Sequence, residues 1–307
     1  MPLALSTSWN SFRHLNGADI IGEIKALGFR QVELNFSLTA PMLKNIAACV
    51  KKGGIKVSSV HNYCPIPPEL TVEEALPDCY SMSSQDDDER HAAVKYTKKS
   101  IDTAGELNAK AVVLHCGRVE IPDKTRDLIA CYNEGLVNTE KFNKLKSQIV
   151  REREAAFKPF LDNTLKSLDE LSRYARKKNI CLGVENRYYY REIPTLGEIG
   201  IILAAFKGSN VFYWHDSGHA QLMENLGFWQ HKDHLSLYAD FMLGVHLHDI
   251  TGTQDHQAPS CGQLDFKMLA GFIKKQTIKV MEAHHPASPQ DILKGKRFLE
   301  QIFDGKP

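Results

Sequence analysis

Cys181-Leu182-Gly183-Val184-Glu185 and Val211-Phe212-Tyr213-Trp214-His215-Asp216 decide the fold: each is a short apolar run closed by a carboxylate, and a helical stretch lies between them. The same unit recurs outward to both ends of the chain. Candidate strands read Leu3–Ser6, Gln31–Leu34, Lys56–His61, Ala111–His115, Cys181–Glu185, Val211–Asp216, Gly244–His248 and Ile278–Glu282. Amphipathic stretches at Ile20–Leu27, Asp88–Leu107, Asn163–Lys178, Thr195–Phe206 and Leu264–Lys275 alternate with them. Runs apolar on both faces suit parallel strands covered by helices. Eight such units in 307 residues predict an α/β fold, a single (β/α)8 TIM barrel over residues 1–307, rather than an open doubly wound sheet. No G-x-G-x-x-G stretch follows the first strand, which speaks against dinucleotide binding.

Two connections exceed a minimal βα loop. Residues 62–87 carry Pro65, Pro67, Pro68 and Pro77, then an acidic run from Asp86 that reads as a helix N-terminus. Residues 118–150 show helical patterning only around 124–134. Both leave the C-terminal rim, so we expect long βα-loop insertions where barrel enzymes build lids and pockets.

A formal net charge of +1 argues against a surface made for nucleic acid. No apolar run is long enough to span a membrane, and the opening Met1-Pro2-Leu3-Ala4-Leu5-Ser6 has no basic and apolar leader pattern. Seven scattered Cys without a CxxC pair fit neither a zinc finger nor a disulfide scaffold, and point to reducing cytoplasm.

The chemistry gathers at strand ends. His61, His115, Glu185, Asp216, His246 and Glu282 each close a candidate strand or stand near its end, and in a barrel those ends converge on one face. Asp, Glu and His make up 50 of the 307 residues, so composition alone does not fill six of eight strand ends with them. Mixed imidazole and carboxylate donors suit Zn²⁺, Mn²⁺ or Co²⁺. His219, just above Asp216, and His256, beside Asp255, extend the set. We expect His248 to turn away from His246 and to act in support, with Asp249.

Blander readings stand beside these. A lone strand histidine such as His61 or His115 is more often a hydrogen-bonded core residue than a ligand. Asp216 is also placed to cap a following helix. Glu185 and Glu282 are harder to explain so, because a buried carboxylate needs a partner or a cation. Arg187 is placed to hold a phosphate, carboxylate or hydroxyl of a substrate, or simply to lie in solvent. Tyr188-Tyr189-Tyr190 reads as a substrate wall or as loop packing, and Trp214 as a site residue or as core. Cys64, Cys116 and Cys261 are taken as small apolar residues.

Val57–His61, Val112–His115, Leu182–Asn186, His215–His219, Gly244–Asp249 and Val280–Glu282 together resemble the xylose isomerase-like TIM barrels, which unite sugar isomerases and epimerases with AP endonuclease family 2. The epimerase side of that resemblance implies one metal on Glu185, Asp216, His246 and Glu282. Its two glutamates exchange a proton through an enediolate, and His219 meets a substrate hydroxyl. Gly252 stands where those epimerases have an arginine. The endonuclease side implies three zinc ions: one on His61, His115 and Glu185, one on the central four, and one on His219 and His256. There Gln254 replaces an aspartate, and Ala283-His284-His285 replaces a Thr-Pro. The resemblance thus points to a divalent-metal isomerase or epimerase for a sugar, sugar phosphate or polyol, with one to three ions. Catalysis falls to Glu185 and Glu282, and substrate contacts to His219, Arg187 and His248. A zinc-dependent AP endonuclease and an inosose-type dehydratase are the alternatives. A homo-oligomer is compatible with it.

Overall fold

The chain runs β1 (Ala4–Ser6), α1 (Gly17–Ala26), β2 (Gln31–Leu34), α2 (Ala40–Lys51), β3 (Lys56–His61), α3 (Asp87–Glu106) and β4 (Ala111–Leu114). Next are α4 (Thr125–Asn133), α5 (Glu140–Arg176), β5 (Cys181–Glu185), α6 (Leu196–Ala205), β6 (Val211–Asp216), α7 (Ser217–Asn225) and α8 (His231–Tyr238). Then come β7 (Met242–Leu247), β8 (Asp249–Thr251), β9 (Gln254–Gln257), α9 (Phe266–Phe272), β10 (Ile278–Met281) and α10 (Pro289–Asp304). The computed structural model describes residues 2–305, so residues 1, 306 and 307 of the expected domain lie outside the described residues.

Eight parallel strands close into a barrel in the order β1-β10-β7-β6-β5-β4-β3-β2, as the alternating pattern predicts. Inside the barrel, Trp214 packs with Ala4, Ala111, Val113, Ile278 and Val280. Its indole lies over Gly183 and Gly244, where a Cβ would come within 2.8 Å and 2.2 Å of the ring. Trp214 is therefore core filling beneath the mouth and not part of a substrate wall. The larger apolar layer lies between strands and helices, and Ile20, Ile24, Ile46, Leu168, Leu171 and Ile202 from four helices belong to it.

Two differences from the expected pattern have physical causes. Helix α5 begins at Glu140 rather than near 163 and runs through Pro159. Its first half buries only Phe142, Ile149 and Arg153, too few apolar positions to show a period. Arg153 holds that half down through two 2.8 Å bonds to Glu198 on α6. The stretch after β7, for which the pattern predicts no strand, forms an antiparallel hairpin of β8 and β9. No helix among the described residues is long and apolar enough to cross a membrane.

Candidate metal centre

Strand ends bring Glu185 (β5), Asp216 (β6), His246 (β7) and Glu282 (just past β10) together, all buried, with one donor atom from each within 4.8 Å of the others. His246 Nδ1 stands 2.9 Å from Glu282 Oε2, 3.0 Å from Glu185 Oε1 and 3.6 Å from Asp216 Oδ2. Three carboxylates thus converge on one ring nitrogen. The other nitrogen, Nε2, faces Glu33 Oε1 at 2.9 Å. Burial pushes the His246 imidazole down, yet Glu282, Glu33 and Glu185 together hold it well above its ordinary value. Burial likewise works to raise Glu185, and the charge on His246 leads what outweighs it, so the carboxyl sits well below its usual range. This is a pocket of negative charge that demands a cation. The His246 proton meets part of the demand, and a divalent ion would meet it better.

Hydrogen bonds on the outer nitrogens decide which lone pairs point inward. His61 Nδ1 is 3.0 Å from the Asn62 carbonyl, which can only accept, so Nδ1 carries the proton. His115 Nδ1 donates at 3.1 Å to Asp78 Oδ2. Both Nε2 atoms therefore face Glu185 Oε2, at 3.4 Å and 3.0 Å, where they would turn lone pairs to an ion if one were held. That oxygen is buried and has no hydrogen-bond partner. This oxygen lies between two imidazole nitrogens and 3.9 Å from Arg187 Nη1, and His61, His115 and Glu185 form a second donor group that would fit a cation.

A third group joins Asp216, His219, His248 and His256. Asp216 caps α7 by accepting the His219 N–H at 2.7 Å, and its carboxylate also faces the central donors. His219 Nδ1 donates to the Asn186 carbonyl at 3.0 Å, leaving Nε2 turned inward, 3.8 Å from Asp255 Oδ2. Asp255 also pairs with His256 Nδ1 at 2.9 Å and is the main upward influence on that imidazole; burial opposes it, and the group ends at about 9. Asp255 thus sets a carboxylate beside His219 and His256.

His248 corrects the sequence expectation. Residues two apart on a strand share a face, so its ring follows His246 inward rather than turning away. Its Nδ1 accepts the His256 N–H at 2.9 Å, which puts the proton on Nε2, and Nε2 donates to both Asp216 oxygens at 2.9 Å. With both nitrogens engaged and the side chain fully buried, His248 holds Asp216 in place and does not reach a substrate.

Above the donors lies a cavity of about 310 Å³, walled by Phe36, Pro77, Tyr188 and Tyr189 and floored by the histidines and glutamates. Tyr190 turns away to stack on Phe228 at 4.1 Å, so the tyrosine run is part wall and part packing. Arg187 lines the cavity and is buried. Its Nη2 is spent on Asp78 and Glu192 at 3.1 Å and 3.0 Å, while Nη1 has no hydrogen-bond partner. Cys64 and Cys116 are buried, and burial holds the Cys116 thiol up at about 12, as befits an inert core residue.

Three residues escape the strand-end rule. Glu33 sits inside β2, and its signal is an acid between Val32 and Leu34 in a run that must be buried. Asp78 lies in the proline-rich connection, which has no period to read. His284 stacks on His256 at 3.9 Å and forms a fourth donor group with His256 and Glu282.

The sequence matches the family model described as xylose isomerase-like TIM barrel over residues 21–302, and the chain belongs to that family. No curated protein matches it in sequence comparison. Among solved structures it is similar to a D-tagatose 3-epimerase-like protein, with TM-score 0.67 and 19% identity over 99% of this chain and 97% of that one. It is also similar to 3-keto-D-glucoside 4-epimerase from E. coli, with TM-score 0.67 and 15% identity over 98% and 99% of the two chains. D-Psicose 3-epimerase from Clostridium cellulolyticum H10, solved with D-tagatose, gives TM-score 0.69 and 14% identity over 99% of both. At such identities the likeness speaks for the fold.

Proposed function

We propose that the protein is a divalent-metal-dependent isomerase or epimerase of a sugar, sugar phosphate or polyol. The observation that carries this reading is the convergence of Glu185 and Glu282 on His246 Nδ1, at 3.0 Å and 2.9 Å, at the floor of a cavity of about 310 Å³. Glu185, Asp216, His246 and Glu282 would hold the ion, which when bound lowers the barrier to deprotonation beside a carbonyl by polarising it. One glutamate takes the proton from the substrate carbon and the other returns one to the opposite face. Their surroundings hold both as carboxylates in the free protein, so one accepts the substrate proton as it stands, and the other returns a proton that it has first taken up from solvent. His219 Nε2 accepts from a hydroxyl, and Arg187 Nη1 donates to a substrate oxygen. Phe36, Tyr188 and Tyr189 keep water from the reacting carbon. Zinc, manganese and cobalt all suit these donors.

Exchange of substrate hydrogen with solvent deuterium tests the assignment on a panel of ketoses in Mn²⁺- or Co²⁺-loaded protein. Glu185→Gln and Glu282→Gln should each abolish exchange while the circular dichroism is unchanged. Full exchange in either variant removes that glutamate from the chemistry.

A second reading has one specific observation in its favour. The His61, His115 and Glu185 group adds room for a further ion, as phosphodiester hydrolysis with zinc would use. Against it, Arg187 is the one Lys or Arg lining the cavity among the described residues, and Asp78 and Glu192 already neutralise it. Incision of an abasic-site duplex by zinc-loaded protein, with no exchange on ketoses, would reverse the ranking.

A further inference from the structure

We propose that Glu33 is a positioning residue of the metal centre, holding the outer nitrogen of His246 so that Nδ1 is presented to the cation. The inference rests on reading Glu185, Asp216, His246 and Glu282 as cation ligands, but it concerns a residue outside that set.

Glu33 is fully buried on β2, across the barrel interior from β7. The barrel interior is otherwise filled by apolar side chains, Ala4, Val113, Val280 and the Trp214 indole among them, so filling space alone would call for another. A carboxylate there is costly unless every lone pair is used. Oε1 takes the His246 Nε2–H at 2.9 Å and Oε2 takes the Ser59 hydroxyl at 2.7 Å.

The backbone shows the same arrangement independently. Strands β2 and β3 pair in register at Val32↔Val57 and then slip by one, so that Glu33 lies opposite Ser59. Such a slip re-aims a side chain, and residues that carry one beside a site usually serve it. Ser58, the residue passed over, turns its hydroxyl back to the Val32 carbonyl at 3.0 Å and fills the gap. The irregularity thus delivers Glu33 to His246 and supplies the serine that fixes its far oxygen.

A carboxylate on the outer nitrogen fixes the orientation of a ligand histidine and makes its inner nitrogen a stronger donor, an effect commonly about 10–100-fold in metal affinity. Glu33 and Asp78 then do parallel work, one behind His246 and the other behind His115.

Competition for Co²⁺ against a coloured chelator tests this without reference to any sugar. Glu33→Gln keeps an oxygen for the Nε2–H but loses the charge, and Glu33→Ala loses both. We expect Co²⁺ to bind about tenfold more weakly to the first and about a hundredfold more weakly to the second, with a shift of the Co²⁺ visible bands in each. Ser59→Ala, which frees the far oxygen, should fall between wild type and Glu33→Gln, and it stands in if Glu33→Ala fails to fold. Folded Glu33→Gln and Ser59→Ala proteins with wild-type affinity and unchanged bands overturn the proposal while leaving the ligand reading intact. A wild-type protein that binds no Co²⁺ removes both.

Discussion

Replacing Gly244 with alanine measures how tightly the floor of the centre is built. A Cβ at this position would stand 2.2 Å from Cζ3 and 2.4 Å from Cη2 of Trp214. Carbon atoms in contact sit about 3.5–4.0 Å apart, so the indole must retreat by about 1.3 Å or more. Gly183 blocks one escape, since the space a Cβ would occupy there is already within 2.8 Å of the ring. On the other flank the ring meets His246 edge-on, with centroids 5.2 Å apart. Overpacking a core costs about 1–3 kcal/mol, and a rigid bicycle caught between two strands belongs at the upper end. Urea denaturation of metal-free Gly244→Ala should therefore show a loss of about 3 kcal/mol. Combining it with Trp214→Phe should return about 1 kcal/mol or more relative to additivity, because the smaller ring vacates the contested space. A Gly244→Ala protein within about 0.5 kcal/mol of wild type, or a strictly additive pair, would refute the packing argument.

Two more outcomes are expected from the same geometry. Gly218→Ala would put a Cβ 2.2 Å from Cε1 of His248, so that ring must leave Asp216. Co²⁺ affinity should drop about tenfold with the secondary structure unchanged, and wild-type affinity would show that His248 does not hold Asp216. Away from the centre, burial holds His231 at about 4 and His234 at about 3, both below the unfolded value, so their stability is full above about 6.5 and is lost as pH falls toward those values. At pH 5 each should contribute a loss of about 2 kcal/mol relative to pH 7, seen in urea titrations. His234→Phe should flatten that dependence, and a slope equal to wild type would show that the ring is solvated.

The barrel is legible because its signal is redundant. Short two-faced apolar runs recur eight times, and Glu185, Asp216 and Glu282 stand at or just past the ends of three of them, so a misplaced boundary cannot hide the pattern. Boundaries differ by a residue or two where the last position is polar, as at His115 and Glu282, which lie just past β4 and β10. Contact between elements is what the sequence conceals. Glu33 looks like a misfit until the fold sets β2 across from β7, and Asp78 is one acid among several in a loop until it meets His115 and Arg187. His248 is misjudged through its period: two residues along a strand is a full repeat, so its ring shares a face with His246. The buried set of Tyr213, His215, His231 and His234 leaves no trace either, because α8 is short and its histidines read as surface polar residues.

The spacing of the donors also times their assembly. Those of the central set run from Glu185 to Glu282 in a chain of 307 residues, each at or near the end of a different strand. The last of them lies just beyond β10, the strand that joins β7 to β1 and seals the cylinder. During synthesis Glu185, Asp216 and His246 emerge before Glu282, and a nascent chain short of Glu282 has an open seam and an incomplete central set. Completion of the central set therefore belongs to the finished barrel. A truncation that removes α10 alone spares every donor, whereas one that begins at β10 and extends through α10 takes the closure and the fourth donor together.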